Sequence, residues 1–271
     1  MDTPREHVLG ILGGMSWHST AQYYRAINER VAVARGGHAS ARILLSSLDF
    51  AVVRDCQVRD DWATAAAMLA SEAAALERAG AGSIAIATNL MHRVADEVQA
   101  AVGVPLVHIG DAVADAAGTL GARTLGVVGT QRVMAERFYA ERLGRHGIRV
   151  VVPPVEAQAT IDAIIFDELT RGVVTDASRA VFRDAFAALV DAGAEAVVLA
   201  CTEIMLLVDD RDAAVPVIDS CAAHADALAR IALGERSASA LAPELLHGVE
   251  HGADRGHALG AVPVPQRDRP A

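Results

Sequence analysis

The sequence predicts an α/β fold of two pseudo-symmetric lobes, each a roughly four-stranded, mainly parallel sheet flanked by helices, with the active site between them. Three observations carry that expectation. Landmarks in the first half recur in the second, in the same order and at nearly constant spacing. Short apolar runs alternate with longer helical stretches, the pattern that parallel-sheet units require. The apolar runs are bounded by glycine, proline or polar turn residues.

The repeat is explicit. Residues 80–91 (GAGSIAIATNLM) align without gaps on residues 193–204 (GAEAVVLACTEI), an offset of 113 from Gly80 to Gly193. Leu9-Gly10-Ile11-Leu12-Gly13 answers Leu125-Gly126-Val127-Val128-Gly129 at 116, and Val104-Pro105-Leu106-Val107 answers Val215-Pro216-Val217-Ile218 at 111. Solenoid repeats run to about 20–50 residues. A period this much longer makes each copy a subdomain with its own sheet, and two facing copies enclose a cleft.

Eight buried strands are expected, at 7–12, 42–47, 83–87 and 105–108, then at 124–128, 148–152, 196–200 and 215–218. Helical stretches include 19–34, 62–79, 91–101, 134–146 and 175–192. The first lobe takes residues 1–114 with 219–235 and the second 115–218. Residues 236–271, rich in Ala, Ser, Gly, Pro and Arg, read as a mobile tail with a short helix near 241–249.

Composition bounds the function. With 271 residues, 52% of them hydrophobic and 21% charged, the chain can bury a full core. Aromatic residues are only 4%, so a large aromatic-lined pocket is not expected. The net charge of −10 with scattered arginines argues against nucleic acid as a partner. No apolar run is long enough to span a bilayer, so no membrane partner is expected. Cys56, Cys201 and Cys221 are an odd number in a chain without a basic-then-apolar leader, which points to a reducing cytoplasm. All 24 basic residues are arginine. That removes both the Schiff-base lysine of pyridoxal phosphate enzymes and the lysine of a P-loop.

The chemistry-bearing candidates lie at the carboxyl ends of strands, where open α/β sheets place ligands: Gly13 to Ser16, Thr88-Asn89, Gly129-Thr130 and Cys201-Thr202. Free cysteine usually behaves as a small buried hydrophobe. Cys201 stands apart because the repeat sets Thr88 opposite it, and a following helix would lower its thiol pKa. Cys56 and Cys221 read as structural, and no cysteine pair has metal-ligand spacing. Gly13-Gly14-Met15 lacks the Gly-x-Gly-x-x-Gly spacing of a dinucleotide loop, so its backbone N–H groups are expected to cradle a small anion. His247, His251 and His257 read as solvated surface, and the acidic run Asp209-Asp210-Arg211-Asp212 as a hydrated loop.

Residues 10–17 (GILGGMSW), 88–92 (TNLMH) and 193–204 resemble the cofactor-independent aspartate/glutamate racemase family, within a superfamily that includes hydantoin racemases, maleate isomerases and arylmalonate decarboxylases. The similarity spans residues 7 to about 234. It implies two α/β lobes, commonly a homodimer, and two thiols on opposite faces of a substrate α-carbon. Cys201 then corresponds to the second-lobe acid/base, and Thr88 stands where the first-lobe cysteine usually does. One subgroup, with Thr-Asn-Thr-Met-His, also carries threonine there. Leu90 departs from it, standing where a threonine is expected to contact substrate. A lysine that relatives often place between the positions of Arg149 and Arg171 is also absent, with Thr160 or a neighbour in its stead.

The expectation is an amino-acid racemase without cofactor or metal, with Thr88 and Cys201 as the proton carriers. Met15, Ser16, Gln57, Arg54, Asn89, Leu90, Thr130 and Thr202 are its substrate contacts. Two alternatives stay open: a decarboxylase or isomerase using Cys201 alone, and a non-catalytic protein that binds a small anion.

Overall fold

The computed structural model describes residues 7–241. The expected tail beyond 241, with its histidines and short helix, lies outside the described residues. Eight strands form two four-stranded parallel sheets. β1 (Val8–Gly13), β2 (Arg42–Ser47), β3 (Ser83–Ile86) and β4 (Leu106–Val107) are ordered β2-β1-β3-β4. β5 (Thr124–Gly129), β6 (Arg149–Val151), β7 (Ala196–Ala200) and β8 (Val217–Asp219) are ordered β6-β5-β7-β8. The two orders are the same once the second set is renumbered, as the duplicated landmarks require.

The helices are α1 (Trp17–Arg35), α2 (Phe50–Val58), α3 (Trp62–Arg78), α4 (Ala95–Ala100), α5 (Ile109–Leu120), α6 (Gln131–Ala135), α7 (Arg137–Gly144), α8 (Val155–Ala163), α9 (Asp176–Asp191) and α10 (Ser220–Leu233). β3, β5 and β7 are buried at every position, which is why they read as continuous apolar runs. α10 returns to the first sheet: its Ala225, Leu228 and Ile231 join the core formed by Leu9 and Ile11 of β1 and Tyr23 and Ile27 of α1.

Local structure differs from the sequence expectation at four places. The stretch 134–146 is not one helix, because Glu136 adopts extended backbone between α6 and α7 while its carboxylate pairs with Arg93 and Arg132. The stretch 91–101 opens with a 3-10 turn, Leu90–Val94, before α4. The segment after Cys201 is likewise a 3-10 turn of five residues, Thr202–Leu206, not a helix. The acidic run is not simply hydrated: the Asp212 side chain is 1% exposed and receives Arg179 at 2.9 Å and Arg183 at 2.6 Å. Its other anchor is the backbone N–H of Asp209, at 3.0 Å.

Candidate active site

Both sheets deliver their carboxyl ends to one cavity of about 570 Å³. β1 ends at Gly13, and the loop beyond it turns sharply. Gly14 sits at φ +86°, with its would-be Cβ 2.1 Å from the Leu48 carbonyl oxygen, so only glycine fits. Ser16 caps α1 by accepting the Ser19 N–H at 3.4 Å. β3 sets Thr88 and Asn89 on the cavity wall, β5 supplies Thr130, and β7 supplies Cys201 and Thr202.

Of the residues expected to form the site, Met15, Ser16, Gln57, Thr88, Asn89, Leu90, Thr130, Cys201 and Thr202 all line this cavity. Arg54 does not. Its guanidinium lies over the Phe166 ring, 4.3 Å from the centroid, and donates to Gln57 Oε1 at 3.3 Å. Thr160 is also off the cavity, exposed on α8 with its hydroxyl donated to the Glu156 carbonyl at 3.3 Å. The expected backbone cradle loses one member, because the Gly14 N–H already donates to Thr20 Oγ1 at 2.8 Å.

Glu203 organises the Cys201 wall. Its Oε2 receives the Cys201 thiol at 3.1 Å and the Thr202 hydroxyl at 2.7 Å, and its Oε1 receives the Ser16 hydroxyl at 3.1 Å. Since the single Thr202 proton is spent on Glu203, the 2.5 Å contact between Ser19 and Thr202 has Ser19 Oγ as donor. Ser16 and Ser19 belong to the first sheet's connection and Thr202 and Glu203 to the second's, so this network also ties the halves together.

The thiol pKa is not depressed as expected. Burial, and then the neighbouring Glu203 carboxylate, push it well above its usual range. Burial penalises the thiolate most, the carboxylate disfavours a second negative charge beside it, and one short 3-10 turn offers little dipole to offset them.

The Thr88 wall is held from behind. His92 accepts the Ile109 N–H at Nε2 (3.1 Å), so its proton sits on Nδ1 and is donated to the Thr88 carbonyl at 2.8 Å. Ser220, fully buried, donates its hydroxyl to the Leu199 carbonyl at 2.8 Å and therefore accepts from Asn89 Nδ2 at 3.0 Å. That leaves Asn89 Oδ1 buried without a partner, and Thr130 Oγ1 is in the same condition. Buried polar atoms are nearly always paired, so two orphans among the residues lining one cavity mark where a polar ligand would complete the pairing.

Sequence reasoning missed Glu203, although it sits inside the Cys-Thr-Glu stretch, because its role across the cavity depends on Ser16, a donor arriving from the other half. It also missed Trp17, Phe50, Ile165, Phe166, Leu169 and Arg171, which line the cavity. Three of these are aromatic, against the expectation drawn from composition. Ile165 and Phe166 belong to a π-helical turn, Ile164–Glu168, which no sequence motif announces. Cys56 and Cys221, expected to be structural, are free and buried. Among the described residues no group of three or more metal-ligating side chains occurs, and no helix is long and apolar enough to cross a membrane.

Residues 12–228 match the family model described as Asp/Glu/Hydantoin racemase. Among solved structures, a Yersinia pestis protein described as a candidate Asp/Glu racemase is 43% identical with a TM-score of 0.81, covering 84% of this chain and 99% of that one. An aspartate racemase homologue from Pyrococcus horikoshii OT3 is 33% identical with a TM-score of 0.73, over 84% and 99% of the two chains. The Picrophilus torridus aspartate racemase, at 19% identity and a TM-score of 0.62 over 83% and 94%, shows the shared fold.

Proposed function

The chain belongs to the Asp/Glu/hydantoin racemase family, and from that premise we propose that it is a cofactor-independent amino-acid racemase acting on aspartate, glutamate or a related amino acid. The observation that carries this reading is a single cavity lined by both Thr88 and Cys201, at corresponding carboxyl ends of the middle strands of two like sheets. Racemisation needs one group to take the α-proton from one face and another to return a proton to the opposite face. Two related half-sites supply such a pair.

In the proposed cycle Cys201 rests as the neutral thiol, ready to protonate a carbanion at the α-carbon. To act instead as base it first passes its proton to Glu203 Oε2, 3.1 Å away. Thr88 serves the other face. Asn89 Oδ1, an acceptor without a donor, suits the substrate ammonium, and the backbone N–H groups at Ser16, Thr130 and Thr202, with the unpartnered Thr130 hydroxyl, suit the α-carboxylate as negative charge develops on it. Within the same reading the lobes divide as 1–114 with 219–235 and 115–218, supported by α10 packing into the first sheet's core. A cytoplasmic homodimer also belongs to the reading, supported for the compartment by three free thiols.

Cys201→Ala is expected to abolish exchange of the α-hydrogen with deuterated water, and Thr88→Ala to slow one direction of inversion more than the other. Proton NMR of the substrate in deuterium oxide measures both. Undiminished exchange in Cys201→Ala removes the thiol from the reaction. A decarboxylase is the second reading, favoured by the one protonated sulfur in the cavity. Carbon dioxide release from malonates, without inversion of amino acids, identifies it.

A further inference from the structure

One junction between the halves is the network of Ser16, Ser19, Thr202 and Glu203 inside the cavity. A second is built from Asp60, Trp62 and Arg93 of the first half and Arg132 and Glu136 of the second, none of which lines the cavity. We infer that this second junction is a clasp that holds the Thr88 and Cys201 walls at their working separation, with Arg132 as its central positioning residue. The clasp itself is independent of the racemase reading, and only its effect on turnover rests on that reading.

Arg132, in α6, divides its guanidinium between the halves. Across the boundary Nη2 donates to the Gln57 carbonyl at 3.1 Å and Nη1 to Asp60 Oδ1 at 3.0 Å, while Nη1 also reaches Glu136 Oε1 of its own half at 3.2 Å. Glu136 Oε2 in turn receives Arg93 from the first half. The Trp62 ring takes both guanidiniums, Arg93 at 4.2 Å and Arg132 at 5.5 Å from its centroid, and its N–H donates to Asp60 Oδ1 at 2.6 Å. Among the described residues Asp60 is the one non-glycine at positive φ, 58°, a conformation that these two donors help to hold.

The clasp is wired to the cavity through short stretches of chain. Gln57 lines the cavity and gives the clasp its carbonyl, Leu90 shares a 3-10 turn with Arg93, and α6 carries Thr130 at its cap and Val133 beside Arg132. The Asp60 and Arg132 side chains are 64% and 36% exposed. An ion pair so hydrated contributes at most about 1 kcal/mol to global stability. Its leverage lies in distance instead, since a displacement of about 1 Å between reacting groups can cost a rate about 100-fold.

The test reads Cys201 itself. Cys201 lines the cavity, whereas Cys56 and Cys221 are buried away from it and serve as internal controls. The full chain and its Arg132→Met and Arg132→Lys variants are treated with iodoacetamide, and the labelled thiols are identified by mass spectrometry. Arg132→Met should speed reaction at Cys201 about fivefold or more while the other two thiols stay protected. Arg132→Lys, which keeps the charge but not the flat forked guanidinium, should fall between. Removing a cation can only disfavour the thiolate, so faster reaction reports access and not ionisation. For α-hydrogen exchange of L-aspartate and L-glutamate in deuterium oxide, kcat should fall about tenfold in Arg132→Met, with a smaller change in KM. Unchanged labelling of Cys201, or equal acceleration at all three thiols, overturns the clasp. A level kcat beside a more reactive Cys201 overturns the positioning role. Faster labelling of Cys201 alone, in a protein whose unsubstituted form exchanges neither amino acid, upholds the clasp and overturns the racemase reading.

Discussion

At the residue scale the informative contact is Cys201 to Glu203. A thiol whose pKa is raised by burial and by an adjacent carboxylate is an acid at rest, and it becomes a base only as its proton leaves. Because the thiolate is populated above that raised pKa, inversion begun by Cys201 should speed up as pH rises through the alkaline range. Glu203→Gln removes the repelling charge, so the alkaline limb should move to lower pH while burial still holds it above the free thiol's range. The same variant loses the proton acceptor, so exchange at neutral pH should fall. Rate profiles of α-hydrogen exchange between pH 6 and 11, roughly the range over which thiols ionise, decide the matter, and an unmoved limb would take Glu203 out of the proton path. Thr88, Cys201 and their neighbours were legible in the sequence because the repeat aligns them. The Glu203 network was not, since Ser16 lies 187 residues away along the chain.

At the element scale the turns after the strands do the positioning. The loop leaving β1 passes so close to Leu48 that the Leu48 N–H donates to the Gly13 carbonyl at 3.0 Å. Gly14→Ala would force a Cβ into the Leu48 carbonyl in a backbone conformation that L residues avoid. It is expected to destabilise the fold by about 2–4 kcal/mol, measured as a shift in the urea midpoint. Unchanged stability would mean that the loop can move away without loss. All eight strands could be read from apolar runs. Only the inner strands β1, β3, β5 and β7 are buried almost throughout, whereas the edge strands β2 and β6, expected to be buried, are partly open to solvent. The π-helical turn at Ile164–Glu168 could not be read, because a single such turn is too short to leave a periodic signal of its own.

At the scale of the whole molecule, three buried histidines lie beneath the site. His92 and His108 have ring centroids 4.4 Å apart, and His92 and His224 are 5.9 Å apart. Burial pushes His92 down to about 3 and His224 to about 4, and holds His108 well below its ordinary 6.5. The unfolded chain binds protons near pH 6.5 that the folded one refuses. Stability should therefore be complete above about pH 6.5 and fall as pH drops toward 4, at up to about 1.4 kcal/mol per pH unit for each histidine. Denaturation midpoints between pH 7.5 and 4.5, spanning roughly that window, check this. A flat profile would show that the histidines do not govern acid stability.

The halves are also clasped by a second set of contacts. Arg132 reaches Asp60 at 3.0 Å and the Gln57 carbonyl at 3.1 Å, and both Arg132 and Arg93 lie over the Trp62 ring. The sequence by itself determined the duplication, the parallel α/β class and the placing of Thr88 and Cys201 at corresponding strand ends, because each follows from periodicity and correspondence along one chain. Only the tertiary structure decided the protonation of Cys201, the departure of Arg54 and the mixed polar and apolar lining of the cavity. Charge, solvation and shape at a site depend on which distant groups exclude water from it, and that proximity exists only once the chain has folded.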